Sequence, residues 1–286
     1  MFKRITIIIS GLLVICLLCY INATKINTNQ LQIRQEILQS SKIDEDTDGL
    51  LIAYFSDLYY GSYLDTKYLD KVFNTIDSFK PDLIIFGGDL IDDEAYSKLS
   101  QEEKDYLPNK LYLLSAKYGK YAILGEYDYK QYDLITSIYG QSGFNILENA
   151  NQQINIDKNS YFNIIGISSL IDGSPDIPSA FSGVNLDNYS IVLSHCPDIF
   201  DELTSYNFDY LLSGHSRGGQ INLPIINLFN RQSGAEKYLS GKITKNGKTL
   251  DISNGIGRLS TNARLNADAE VVFYTLKQIK SSSTSE

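Results

Sequence analysis

The sequence predicts an α/β fold in which mixed sheets form the inner layers and helices the outer ones, joined to one apolar N-terminal helix. Three observations carry this expectation. Short apolar runs alternate with amphipathic stretches through most of the chain, a hydrophobic content of 43% over 286 residues supports one sizeable core, and a single uncharged stretch, residues 5–21, precedes all of it.

Taken in order, the chain opens with "MFKRITIIISGLLVICLLCYINATK". Residues 5–21 would span about 26 Å as a helix, close to a hydrocarbon core of roughly 30 Å, so residues 1–23 read as a transmembrane anchor. Lys3 and Arg4 precede the span and Lys25 follows it. That asymmetry predicts a single-pass cell-membrane protein whose C-terminal domain is extracytoplasmic. A cleaved signal peptide is the alternative, and it fits less well because cleavage after Ala23 would put Ile21 where small residues are favoured. Cys16 and Cys19 fill the anchor, which leaves Cys196 as the one cysteine beyond it and no partner for an intramolecular disulfide.

Residues 24–49 are mostly polar and contain "DEDTDG". Their few apolar residues, among them Leu31, Ile33, Ile37 and Leu38, would make at most a short amphipathic helix, so the segment reads as a polar stalk. Residues 278–286 end in "KSSSTSE", too polar to order themselves, and read as a disordered tail.

Residues 50–277 form the expected domain. "LLIAYFSD", "DLIIFGGD" and "YAILGEYD" read as strands, with helices over residues 68–79, 107–118 and 132–141 between and after them. "FNILEN", "QQINI", "YFNIIGIS", "SIVLSH" and "FDYLLSGHS" are strand-like, "PDIFDELTSY" is helical, and Asn246-Gly247 marks a hairpin before the last strand, "AEVVFYTL". The net charge of -9 argues against a nucleic-acid partner, which would need clustered positive charge.

The residues that end those apolar runs are the chemically informative ones, because ligands of open α/β sheets bind at the carboxyl ends of strands. The runs end at Asp57, at Asp89, in Glu126-Tyr127-Asp128, at His195 and at His215. Singly, an aspartate after a buried strand caps the next helix and a histidine is a hydrogen-bonded core residue more often than either binds a metal. Together, both histidines of the chain and two acids would converge at one edge, a ligand set suited to Zn, Mn or Fe.

On "SDLYYG", "GDLID", "GEYDY", "LSHCPD" and "GHSRGGQ", with the linking phrases "SGFNILEN" and "SNGIG", the chain resembles the calcineurin-like metallophosphoesterases of the bacterial membrane-anchored type. The resemblance implies a four-layer αββα sandwich, two metals about 3.5 Å apart, and a metal-activated water attacking the phosphorus of a phosphoester whose identity the sequence does not reveal. Carried over residue by residue, it places Asp57, Tyr59, Asp89 and Arg217 around one metal and Asp89, Glu126, His195 and His215 around the other.

The departures fall unevenly. Glu126 stands where the family has asparagine and can still bind a cation. Tyr59 and Arg217 stand where it has histidines, and a guanidinium has no lone pair to give. Tyr127 stands where the family has the histidine that assists the leaving group, beside Asp128, so Tyr127, Asp128 and Arg217 are the catalytic candidates. The expectation is therefore a phosphoesterase with one divalent ion, in which Arg217 replaces the lost metal by pairing with Asp57 or gripping substrate phosphate. The alternative is an inactive phosphoesterase serving as an extracytoplasmic binding module, in which Arg217 only neutralises buried carboxylates. A Tyr59 phenolate on ferric iron is a third possibility.

Overall fold

The computed structural model describes residues 2–223 and 231–280. Two six-stranded sheets form its centre. The first runs in the order β1 (Gln32–Ser40), β12 (Glu270–Gln278), β2 (Leu51–Phe55), β3 (Leu83–Phe86), β4 (Lys120–Ala122), β5 (Phe144–Ile146). The second runs β10 (Gly241–Lys245), β11 (Lys248–Ile252), β9 (Tyr210–Ser213), β8 (Ser190–Ser194), β7 (Tyr161–Ile167), β6 (Ala150–Asn155). Their strands read as unbroken apolar runs because both faces are buried. Ile52, Tyr54, Ile85, Ile164, Leu193 and Leu212 point between the sheets. Ala53, Phe55, Ile84 and Phe86 point to the other face of the first sheet, and Ile165, Val192, Leu211 and Leu250 to the other face of the second.

Helices cover those outer faces. The first sheet carries α2 (Thr66–Ser78), α4 (Gln101–Leu113) and α6 (Tyr132–Ser142), with the short α3 (Asp93–Ser97) and α5 (Glu126–Lys130) between them. The second carries α7 (Ile177–Phe181) and α8 (Phe200–Leu203). Three apolar layers between four structural ones make the αββα sandwich. The hairpin falls where the sequence predicts, with Lys245 paired to Lys248 across Asn246 and Gly247, both at positive φ as a two-residue turn of this kind requires. α4 begins earlier than the predicted residue 107 because Ser100 and Glu103 form a capping box ahead of Pro108.

The N-terminal helix α1 (Phe2–Ile21) is apolar and its length fits a membrane span. The segment after it departs from the expected stalk. Residues 32–40 are not helical but form an edge strand, every residue of which pairs in parallel with β12, from Gln32 opposite Glu270 to Ser40 opposite Gln278. Its polarity concealed it, since Arg34 is ion-paired to Asp251 at 2.8 Å and to Glu270 at 3.1 Å instead of facing water. Gln278, expected in the tail, closes β12, while residues 281–286 of that expectation lie outside the described residues.

Candidate metal centre

The loops after β2, β3, β8 and β9 and the first turn of α5 bring the predicted residues together at one end of the sandwich. The backbone there is unusual. Asp57, Tyr59, Asp89, His215 and Arg217 all have φ between 46° and 64°. Such left-handed non-glycine residues cost about 1–3 kcal/mol each and persist only where surrounding bonds hold them. Here Asp57 donates its N–H to the Gly88 carbonyl at 2.9 Å, and Leu58 and Tyr59 donate theirs to the Asp89 carbonyl at 2.8 and 3.1 Å. Gly88, at φ 94°, permits the close approach, because a Cβ there would lie 2.6 Å from the Gly125 nitrogen and 2.9 Å from the His195 ring.

Asp89, Glu126, His195 and His215 form a compact group whose ligand atoms all lie within 4.8 Å of one another. The tautomers follow from the neighbours. His195 Nδ1 lies 2.6 Å from the Gly87 carbonyl and His215 Nε2 lies 2.6 Å from the Ser233 carbonyl, and since a carbonyl only accepts, those nitrogens carry the protons. The other nitrogens turn inward: His195 Nε2 is 3.1 Å from Asp89 and 3.2 Å from Glu126, and His215 Nδ1 is 2.9 Å from Glu126. Despite these distances, none of His195 Nε2, His215 Nδ1 and Glu126 Oε2 has an aligned hydrogen-bond partner. Buried electron-pair donors facing one another without a shared proton call for a cation. The nitrogen and carboxylate set therefore fits a divalent metal. Without an ion, burial opposes charge on His195, but Asp89 and Glu126 outweigh it and hold the imidazole well above its usual range. Burial would likewise raise the Glu126 carboxyl, yet His195 and His215 hold it below the ordinary carboxylate range.

Asp57, Tyr59 and Arg217 are arranged differently. Asp57 accepts from the Ser56 hydroxyl at 2.6 Å and the His215 N–H at 3.0 Å on one oxygen, and from the Tyr59 hydroxyl at 3.2 Å on the other. The Tyr59 hydroxyl lies 2.7 Å from Asp89 and accepts from Arg217 at 2.7 Å. Arg217 does not pair with Asp57 directly. It reaches the acids through the phenol, while its second terminal nitrogen donates to Gln232 at 2.6 Å. Burial pushes the Tyr59 phenol well above its usual range, against the pull of Arg217. The Tyr59 hydroxyl is thus held between Arg217 and the two acids.

The remaining catalytic candidates lie around this core. Asp128 is fully buried behind it, accepting the N–H groups of Asp89, Leu90 and Gly125 at 2.8, 2.9 and 3.0 Å. It braces two site loops and faces no open space. Tyr127 donates its backbone N–H to Asp89 at 2.9 Å and sets its half-buried ring edge-on to Tyr59, with centroids 5.3 Å apart. Sequence reasoning missed Ser56 and Gln232. Ser56 is adjacent to Asp57 and could have been found, whereas Gln232, which holds both Arg217 and the His215 carbonyl, belongs to a loop without a motif.

Two sheets sandwiched by helices, with two histidines and two carboxylates grouped beyond their strand ends where they could hold a metal, match the architecture of a metal-dependent phosphoesterase. The chain belongs to the calcineurin-like phosphoesterase family, whose model matches residues 50–217, and that family binds divalent metals. It is 30% identical to the uncharacterized metallophosphoesterase YkuE of Bacillus subtilis over 258 residues, which cover 89% of this chain and 88% of that one. It is 27% identical to the UDP-2,3-diacylglucosamine pyrophosphatase LpxG of Chlamydia muridarum over 265 residues, 77% of this chain and 79% of that one. A further relative, the uncharacterized metallophosphoesterase YkoQ of Bacillus subtilis, is 29% identical over 202 residues, 68% of this chain and 72% of that one.

Proposed function

We propose that the protein hydrolyses phosphoesters with a single divalent ion held by Asp89, Glu126, His195 and His215. The observation that supports one ion over two is the Arg217–Tyr59 pair, which sets a guanidinium and a phenol beside Asp57 and Asp89 where the family has two histidines. A divalent ion at the four-residue set supplies Lewis acidity, polarising a phosphoryl oxygen and lowering the pKa of a water.

The chain's own groups supply the rest. Arg217 keeps a positive charge where the family has its other metal, fixed by Tyr59 and Gln232, and lines the cavity beside the centre, where its charge stabilises a phosphoryl oxygen. Gly87 and Ser233 hold the two imidazole tautomers. Tyr127 lies at the rim, where burial and then the charges of Asp89 and Glu126 push its phenol up. It is a weak acid at neutral pH, which favours substrates whose leaving group departs without a proton. A phosphoanhydride meets that requirement because its leaving phosphate is a stable anion, and the pyrophosphatase named among the relatives acts on such a bond.

The charges around α1 support an extracytoplasmic domain, which protease added to spheroplasts should remove. A second reading, a binding module without turnover, is favoured by the three replaced family histidines. Purified full-length protein with added manganese decides between them: hydrolysis of bis-p-nitrophenyl phosphate or a nucleoside diphosphate ester that disappears in His215→Ala supports the enzyme, and no turnover above that variant supports the module.

A further inference from the structure

The register of the first sheet fixes which end of the domain the membrane anchor leaves from. β2 runs toward the metal centre, since Asp57 follows its last residue by two. β12 is antiparallel to it, with Val272 opposite Tyr54, so β12 starts at the metal-centre end. β1 is parallel to β12, with Gln32 opposite Glu270, so β1 starts at that end too. The anchor and the site therefore share one end of the sandwich.

Nor is the connection loose. Between α1 and β1 the chain is held by the domain, through the Arg264 N–H on the Ala23 carbonyl at 2.9 Å, Arg258 on the Thr28 carbonyl at 2.8 Å and the Tyr68 hydroxyl on the Gln30 carbonyl at 2.6 Å. Arg264 is fully buried, and its guanidinium also holds the carbonyls of Asn254, Gly255 and Gly257. The Gly257 N–H in turn bonds the Asp57 carbonyl at 2.6 Å. One loop thus grips both the end of the anchor and the backbone of the site.

The same loop walls a cavity of about 450 Å³ whose lining includes Arg217 and Gln232 together with Ile221, Leu239, Leu259 and Thr261. Its size suits a small-molecule ligand. Another cavity of about 450 Å³, between α4 and α6, contains none of the metal-centre residues. Thr261 is three residues from Arg264, hence within about 11 Å of the residue bonded to Ala23, and Ala23 is two residues beyond α1. Chain connectivity therefore keeps Thr261 within roughly 25 Å of the end of α1, on the side of the bilayer from which the domain emerges.

Resting on the phosphoesterase reading for its chemistry, we infer that this cavity receives the phosphoester headgroup of a membrane lipid, with Ile221, Leu239 and Leu259 against its apolar portion and Arg217 toward its phosphate. The anchor is then a docking element that sets the height of the site over the bilayer.

The placement is read without turnover. Full-length protein with Cys16→Ser and Cys19→Ser is set in nanodiscs and spin-labelled at Thr261→Cys or at Asp187→Cys, which precedes β8 at the opposite end of the sheet and is more than about 17 Å further from the site. Cys196 is buried. Nickel-chelating headgroups should relax the label at 261 at least about threefold more than that at 187, and equal relaxation overturns the inference. Turnover then separates lipid from soluble phosphoester. CDP-diacylglycerol in the disc should be cleaved with a kcat/KM at least about tenfold above that for CDP-glycerol in solution. Inserting fifteen Gly and Ser residues between Ile21 and Asn22 should abolish that advantage while leaving CDP-glycerol turnover unchanged. Equal use of both substrates, or indifference to the insertion, overturns the lipid assignment. Cleavage of bis-p-nitrophenyl phosphate but of neither CDP ester overturns the lipid assignment alone, and a label at the headgroups in a protein that cleaves none of the three supports the placement and contradicts the phosphoesterase reading.

Discussion

The two halves of the centre share Asp89 and differ in how their donor atoms are used. On one side, Glu126, His195 and His215 turn buried donor atoms toward a common point where no proton donor meets them. On the other, Asp57, Tyr59 and Arg217 are linked by hydrogen bonds in which the single Tyr59 proton is shared between Asp57 and Asp89 and Arg217 donates to the phenol oxygen. A buried ligand set that faces inward without a donor is incomplete by itself, whereas a guanidinium and a phenol supply charge and protons to the acids beside them. On the proposed one-ion reading, the difference means that Asp57 is retained without a metal of its own.

Four variants would break or sharpen this contrast. The largest effect is expected from His215→Ala, which removes a donor from the open half: bound metal should drop toward zero by mass spectrometry, and turnover should fall on the order of 100-fold or more. Arg217→Ala, in the closed half, should leave metal content unchanged while kcat falls roughly 100- to 1,000-fold at most, the range for loss of one fixed donor to a transition-state oxygen. Its unpartnered phenol and acids should also cost about 1–3 kcal/mol in denaturant titration. Tyr59→His with Arg217→His should reopen that half and raise the metal count by one, measured by equilibrium dialysis with manganese. Ser100→Ala, which removes the capping box of α4 far from both halves, should cost only about 1 kcal/mol and change neither metal nor turnover.

Sequence and structure agreed most where chemistry and burial coincide. Strands such as Leu51–Phe55 and Ser190–Ser194 are buried on both faces and end in ionisable residues, so their apolar runs and their termini were both legible. β1 was not, because an edge strand with Arg34 and Glu36 held in ion pairs carries no apolar alternation to read. Within the site, the types at 59 and 217 announced a departure from the two-metal pattern, but not the relay from Arg217 through Tyr59 to Asp89, because which groups share a proton depends on distances set by five left-handed backbone positions. Gln232 and Ser233 were illegible for the same reason: one contributes its amide and the other only its carbonyl, from a loop whose approach to His215 is tertiary.

The count of tightly bound divalent ions per chain tests the one-ion centre most directly. Full-length protein in detergent, saturated with manganese or zinc and dialysed against metal-free buffer, should retain one ion per chain by mass spectrometry. Retention of two would contradict the closure of the half formed by Asp57, Tyr59 and Arg217.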